Sequence, residues 1–352
     1  MAKTNYTILL ICEGENTEPQ IFNSIRDRIY SGDYNIDAKI KIVPEPKIEE
    51  ENLPEIQQNI HKKKRKKRKL KPAKGEEPKV IKGVPPLKWV LAGQEELNDG
   101  TYDEVWTVFD NDNHPAKKEA FEKAKESING KSVKIAFSSR SIEYYFLIHF
   151  ERKYYCFPKT ECKEYKISIQ CGTDSHTNDC KGTICINGYA RKNKYWDDSK
   201  GKKSFFDLIE DKLITGFQNA AWVRYKSNIH EGKKEIFDRN PYLTVDFLIK
   251  RLTGYEDYIW NWFSGNTSNN GLSIKVQNHE IEITNISSIA KIIPQDSFFK
   301  TDDIGISKTN FGNRKVIEPG ESFVVNIQDY VTMGKTNYFG FEFRKEISMF
   351  EI

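Results

Sequence analysis

Tyr102-Asp-Glu-Val-Trp-Thr-Val-Phe-Asp-Asn-Asp-Asn-His114 is the stretch whose reading decides the fold. Val105 to Asp110 is an apolar, β-branched run with the content of a buried strand, and it delivers Asp110 and Asp112 into the loop that follows. Alternate side chains of an extended chain point the same way, so the two carboxylates aim at one point, with Cα atoms roughly 6 to 7 Å apart. Such a pair suits a hard cation like Mg²⁺, which takes oxygen ligands and keeps waters that a phosphate displaces. The plainer alternative is a strand that ends in a polar turn, where Asp and Asn are common.

Upstream, Tyr6 to Cys12 is a second apolar run, suited to a central parallel strand. Glu13-Gly14-Glu15-Asn16-Thr17-Glu18-Pro19-Gln20 follows it. Thr17 and Gln20 make a capping box and Pro19 stands in the first turn, so a helix is expected from Glu18 to Tyr30. Glu13 then occupies the turn at the carboxyl end of the strand, where open α/β sheets build their sites. Glu18 is either a ligand beside it or a first-turn acid that complements the helix dipole. Further strands are expected at Asp37 to Val43 and Lys134 to Phe137, and helices at Leu87 to Leu97, Pro115 to Ile128 and Ile142 to Phe150. Strand and helix alternate, which indicates a Rossmann-like parallel sheet with helices on both faces. Glu13, Asp110 and Asp112 would share one edge of that sheet, a cluster of like charges that is costly unless a cation neutralises it.

Residues 44–85 read as a basic insertion, poor in apolar residues. Within it Lys62, Lys63, Lys64, Arg65, Lys66, Lys67, Arg68 and Lys69 form an unbroken run that repels itself and would gain affinity for phosphates by counterion release. Nucleic-acid contact is favoured over a solvated linker, because the run lies between elements rather than at an end. Arg140, Arg224 and Lys226 are further candidates for contacts to a phosphate backbone. The net charge of the whole chain is only +4, so the local run matters more than the overall field.

Residues 151–201 are an irregular, Cys-rich insertion. Cys171, His176, Cys180 and Cys185 offer four zinc-ligand types but lack a tight Cys-x-x-Cys pair, so ordinary thiols are expected rather than structural Zn²⁺. Helical periodicity returns at Ser204 to Ala221 and Thr244 to Leu252. After the turn-rich Ser264 to Gly271 the period changes to two, and short strands suggest an all-β sandwich over residues 270–352, read as a recognition or docking module behind a first domain of residues 1–265. No apolar run is long enough to span a bilayer, and Met1 to Tyr6 enters a strand with no room for a signal peptide. A cytoplasmic protein without membrane contact is expected.

Taken together, Cys12 to Glu18, Val108-Phe-Asp-Asn-Asp112 and Ser138-Ser-Arg-Ser-Ile-Glu143-Tyr-Tyr-Phe-Leu-Ile-His149-Phe150 resemble the RloB/AbiLii family, which has a Toprim fold. Asn240-Pro-Tyr-Leu-Thr-Val-Asp-Phe-Leu248 resembles that family's closing helix. Ser139-Arg140 and Ile142 depart from the family pattern, whereas Glu143 and His149 remain in place. The resemblance implies phosphodiester chemistry with a divalent metal, an association with restriction loci and phage defence, and an ABC-type ATPase partner.

Two readings follow. The first is a metal-dependent nuclease acting on RNA, tRNA among it, or on DNA in anti-phage defence. Glu13, Asp110 and Asp112 would hold Mg²⁺ or Mn²⁺, with Glu18 or Glu143 completing the shell, or Glu13 would act as general base. The second is a catalytically silent subunit that binds nucleic acid or docks an ATPase. Three converging acids favour the enzyme. His149, on an apolar helix, reads as a core residue before a catalyst, and His114 as a turn residue within reach of phosphate.

Overall fold

The computed structural model describes residues 6–14, 17–43, 85–111, 114–160, 184–196, 205–264, 267–269, 271–277, 280–293, 296–301, 307–310, 315–327, 337–343 and 346–351. The Lys62 to Lys69 run, Asp112, Cys171, His176 and Cys180 lie outside them.

Four strands form a wholly parallel sheet in the order β2-β1-β3-β4: β1 (Thr7–Cys12), β2 (Lys39–Val43), β3 (Glu104–Asp110) and β4 (Lys134–Ser138). Period-two alternation sends Ile8, Leu10, Cys12, Trp106 and Val108 to one face, and Leu9, Ile11 and Val105 to the other. The first face is covered by α1 (Thr17–Ser31), α4 (Ile142–Phe150) and α8 (Val245–Thr253), and the second by α2 (Leu87–Asn98) and α3 (Lys117–Ala124). Both faces are apolar because both are covered, as expected for parallel strands. Helix α3 is shorter than its sequence suggests, since the chain turns back through Asn129 and Gly130, whose φ angles of 52° and 79° are incompatible with a continuing helix.

Helices α5 (Ile186–Lys192), α6 (Phe205–Ile209) and α7 (Leu213–Glu231) follow, with a 3₁₀ turn at Glu210–Lys212 between the last two. Where α7 passes α4, an added Cβ at Gly216 would collide with the His149 imidazole. That ring is buried, its Nδ1 bonds the Tyr145 carbonyl at 2.8 Å, and burial pushes its pKa down to about 4. Alanine gains about 1 kcal/mol of helix propensity over glycine, but overpacking a closed core costs about 1–3 kcal/mol. Gly216→Ala should therefore lower the urea midpoint, and an unchanged midpoint would show that the helices part freely.

The far end of the parallel sheet carries an ion cluster. Glu104, almost wholly buried, bonds Lys134 at 2.7 Å and Arg251 at 2.9 Å. Burial raises its pKa, but the two cations outweigh burial and hold it below the ordinary carboxyl value. Stability linked to Glu104 is thus present above about pH 4.5 and lost as pH falls through the folded value. His149 acts earlier, because on acidification the unfolded chain takes up its proton near pH 6.5 and the folded chain only near pH 4. Melting temperature should fall across both windows in the native chain. Glu104→Gln should keep the first loss and not show the second; superimposable acid limbs would refute the assignment.

The remaining strands form separate sheets of mainly antiparallel pairs: β5 (Ile259–Ser264), β6 (Thr267–Asn269), β7 (Leu272–Gln277), β8 (Glu280–Asn285), β9 (Lys291–Ile293), β10 (Asp296–Thr301), β11 (Ser307–Asn310), β12 (Lys315–Ile317), β13 (Ser322–Asn326), β14 (Asn337–Phe343) and β15 (Glu346–Glu351). One sheet runs β11-β10-β14-β15-β5, another β13-β8-β7-β6, and β12 pairs with β9. Phe339 and Phe350 point into a core shared with Leu272, Ile274, Ile281, Ile283 and Val325 of the second sheet. Their neighbours Tyr338, Ile347 and Met349 point the other way and join the main core with Trp222 of α7. At that junction Trp222 donates to the Tyr338 hydroxyl at 3.2 Å, and Lys226 and Tyr225 reach Glu351 at 2.7 and 3.0 Å. The Arg152 guanidinium lies 4.8 Å from the centre of Trp262 and 5.4 Å from that of Tyr338. No described helix is long and apolar enough to cross a membrane.

Candidate acidic site

The carboxyl ends of β1 and β3, the two central strands, bring Glu13 and Asp110 together. The Glu13 amide donates to Val108 at 2.9 Å and carries the ladder one residue past β1. The chain then leaves the sheet, and the Glu13 side chain takes over as partner of the neighbouring strand, its Oε2 accepting the Asp110 amide at 2.9 Å. Its other oxygen, Oε1, lies 2.5 Å from His114 Nε2. The His114 ring in turn sits edge-on to Trp89 of α2, with centroids 5.8 Å apart. Both oxygens of Glu13 are thereby fixed, and the residue that fixes one of them is the histidine read from sequence as a turn residue.

Glu18, in the first turn of α1, is buried and reaches back over Gly14, where any Cβ would collide with its carboxylate. That contact explains a glycine after Glu13. Burial first, and then the Glu18 charge, push the adjacent Cys12 thiol well above its ordinary pKa, so Cys12 stays a neutral packing residue. Glu18 is therefore drawn into the turn beneath Glu13.

Asn111, between the two aspartates, was not singled out in the sequence, yet it anchors the loop. It is buried, its Nδ2 donates to Ser139 Oγ at 2.8 Å and to the Arg239 carbonyl at 3.3 Å, and its Oδ1 accepts from Lys117 Nζ at 2.5 Å. Alternation along the chain could have revealed this, since a residue flanked by two outward-facing acids must face the opposite way. Ser139 is held too, its Oγ donating to Arg239 and its amide to Tyr242, both at 2.8 Å. Arg140 follows in the same loop, half-buried, and Glu143 is buried in the first turn of α4.

The other sequence candidates lie elsewhere. His149 is in the core between α4 and α7, away from the acids, as its apolar surroundings suggested. Arg224 is engaged by Asp246, in a two-pronged pair at 2.6 and 3.0 Å, and Lys226 by Glu351, so both have structural partners rather than an open surface for phosphate. Cys185 is a buried free thiol at the start of α5. Among the described residues no three His, Cys, Asp or Glu side chains are placed to hold a metal, Asp112 being outside them.

No curated protein matches the chain. Residues 8–252, from β1 into α8, match the family model of the RloB-like protein. That stretch carries the parallel sheet and every acid of the candidate site, and over it the chain belongs to the RloB-like family.

Proposed function

We propose that the chain is a metal-dependent nuclease of Toprim type, with Glu13, Asp110 and Asp112 holding Mg²⁺ or Mn²⁺ at the carboxyl edge of the parallel sheet. The observation that carries this reading is the meeting of Glu13 and Asp110 at the ends of β1 and β3. The chain passes from β1 to β2 on one side and reaches β3 on the other, so these ends flank the topological switch point at which open α/β sheets take their ligands. The donor set fits the ion: carboxylate oxygens suit a hard divalent cation, and Glu18 is bent over a glycine beside them. Such an ion, when bound, would polarise the phosphodiester and offset the charge on the departing oxygen.

The chain's own residues do the positioning. The Asp110 amide and His114 fix the Glu13 carboxylate, and Asn111 ties the loop to Ser139, Arg239 and Lys117. Arg140 and the Lys62 to Lys69 run would hold the nucleic-acid backbone, with Glu143 a further acid behind the Ser139 loop. The role in phage defence and an ABC-type ATPase partner rest on the family resemblance.

The test is cleavage of labelled tRNA, single-stranded DNA and duplex DNA by the purified chain with Mg²⁺ or Mn²⁺. Cutting of one class is expected, abolished by chelator and by Asp110→Ala/Asp112→Ala with binding retained. Binding without cutting in both proteins, with the partner ATPase present, would support the silent-subunit reading instead.

A further inference from the structure

Glu13 Oε1 and His114 Nε2 face one another at 2.5 Å, each about one-fifth exposed, so the pair is neither sealed in the core nor free on the surface. A carboxylate oxygen and an imidazole nitrogen that present lone pairs to each other repel; they can approach this closely only around a shared cation. Without a metal that cation is a proton. The remaining contacts keep the two atoms aimed at each other: the Asp110 amide occupies Oε2 and leaves Oε1 for the histidine, while Trp89 supports the imidazole from the side.

We propose that His114 is a nitrogen ligand beside Glu13, and that the site therefore takes a first-row transition divalent ion, Mn²⁺ among them, in preference to Mg²⁺. The inference rests on the metal-site reading given above but does not depend on cleavage. Mg²⁺ is held through oxygen ligands and retained water, whereas imidazole adds affinity for the transition series. A turn residue with no part in binding would have no reason to meet the one acid that the Asp110 amide already orients. The same contact explains the edge-on seat on Trp89, which presents a nitrogen and not a ring face to Glu13.

Electron spin-echo spectroscopy of Mn²⁺ added to the full chain reads this directly, because an imidazole ligand imprints a ¹⁴N modulation on the manganese signal. The modulation is expected in the native protein and absent from His114→Ala and His114→Gln. Titration should show Mn²⁺ affinity about tenfold weaker in His114→Ala, the lower end of the range for disturbed metal shells, with Mg²⁺ affinity changed less than twofold. Absence of Mn²⁺ binding or of ¹⁴N modulation in the native protein overturns the proposal, and so does modulation that survives in a folded His114 variant. If circular dichroism shows His114→Ala unfolded, the glutamine variant and the native spectrum decide. Nitrogen coupling without cleavage of any substrate would keep the ligand and remove the nuclease; cleavage without nitrogen coupling would do the reverse.

Discussion

An Asp246→Ala chain is expected to lose about 3–5 kcal/mol of folding stability, the cost of breaking a buried ion pair by removing one partner. Asp246 is completely buried, and both its oxygens bind Arg224, joining α7 to α8. The Arg224 guanidinium has only 14% of its side chain exposed, and without Asp246 it keeps just the Leu243 carbonyl at 2.9 Å and the Phe247 ring at 4.4 Å. Lys250 would suffer with it. Burial already lowers its pKa, and Asp246 is the charge that opposes the fall. Arg224→Met/Asp246→Leu should cost less than either Arg224→Ala or Asp246→Ala, because the apolar pair leaves no orphaned charge in the core. Denaturant midpoints of the four chains decide the matter, and a loss under 1 kcal/mol in Asp246→Ala would mean that water reaches Arg224 from α8's side.

A chain stopped after Asp257 should fail to fold as a soluble unit. The family match ends within α8, at Leu252, which invites a cut there. Yet β5, β14 and β15 supply Trp262, Tyr338, Ile347 and Met349 to the same core as Trp222 and Tyr225. A buried aromatic side chain covers about 150–250 Å². Uncovering half of that at Trp222 and at Tyr225, at about 25 cal/mol per Å², costs on the order of 5 kcal/mol. Lys226 also loses Glu351, and Arg152 loses two of its aromatic partners. The total is a large share of the roughly 5–15 kcal/mol that holds a typical domain together. The expected product is aggregated or lacks a cooperative melt; a soluble fragment with a sharp transition would show that the C-terminal sheets are an independent module.

The parallel sheet was legible because its code is local. Unbroken apolar runs mark β1 and β3, a capping box opens α1, and the uniformly apolar Ile142 to Phe150 could only be a buried helix. Helix α7 was harder, and its sequence reading stops at Ala221, ten residues short of its end at Glu231. Arg224 and Lys226 look like solvated charge, and the partners that bury them, Asp246 and Glu351, lie far along the chain. Strand β15 was missed for a related reason: Glu346-Ile-Ser-Met-Phe-Glu351 alternates only weakly because both faces are covered near its end, one by α7 and one by the second sheet. At the site, Glu13 and Asp110 could be brought to one edge by strand logic alone. The contact of His114 with Glu13 could not, since it depends on the path of a loop that no periodicity describes.

The strand order β14-β15-β5 has a consequence for how the chain is made. As the polypeptide leaves the ribosome, β5 emerges early and has no neighbour in its own sheet until β15 arrives and lies parallel to it. Closing so long a loop is slow. During that interval the aromatic face of α7 and the open edge of β5 are both uncovered, a combination prone to self-association. Synthesis of this protein therefore passes through a vulnerable stage that ends only with β15, and its yield of folded chains should respond to chaperone supply more than to the stability of the finished molecule.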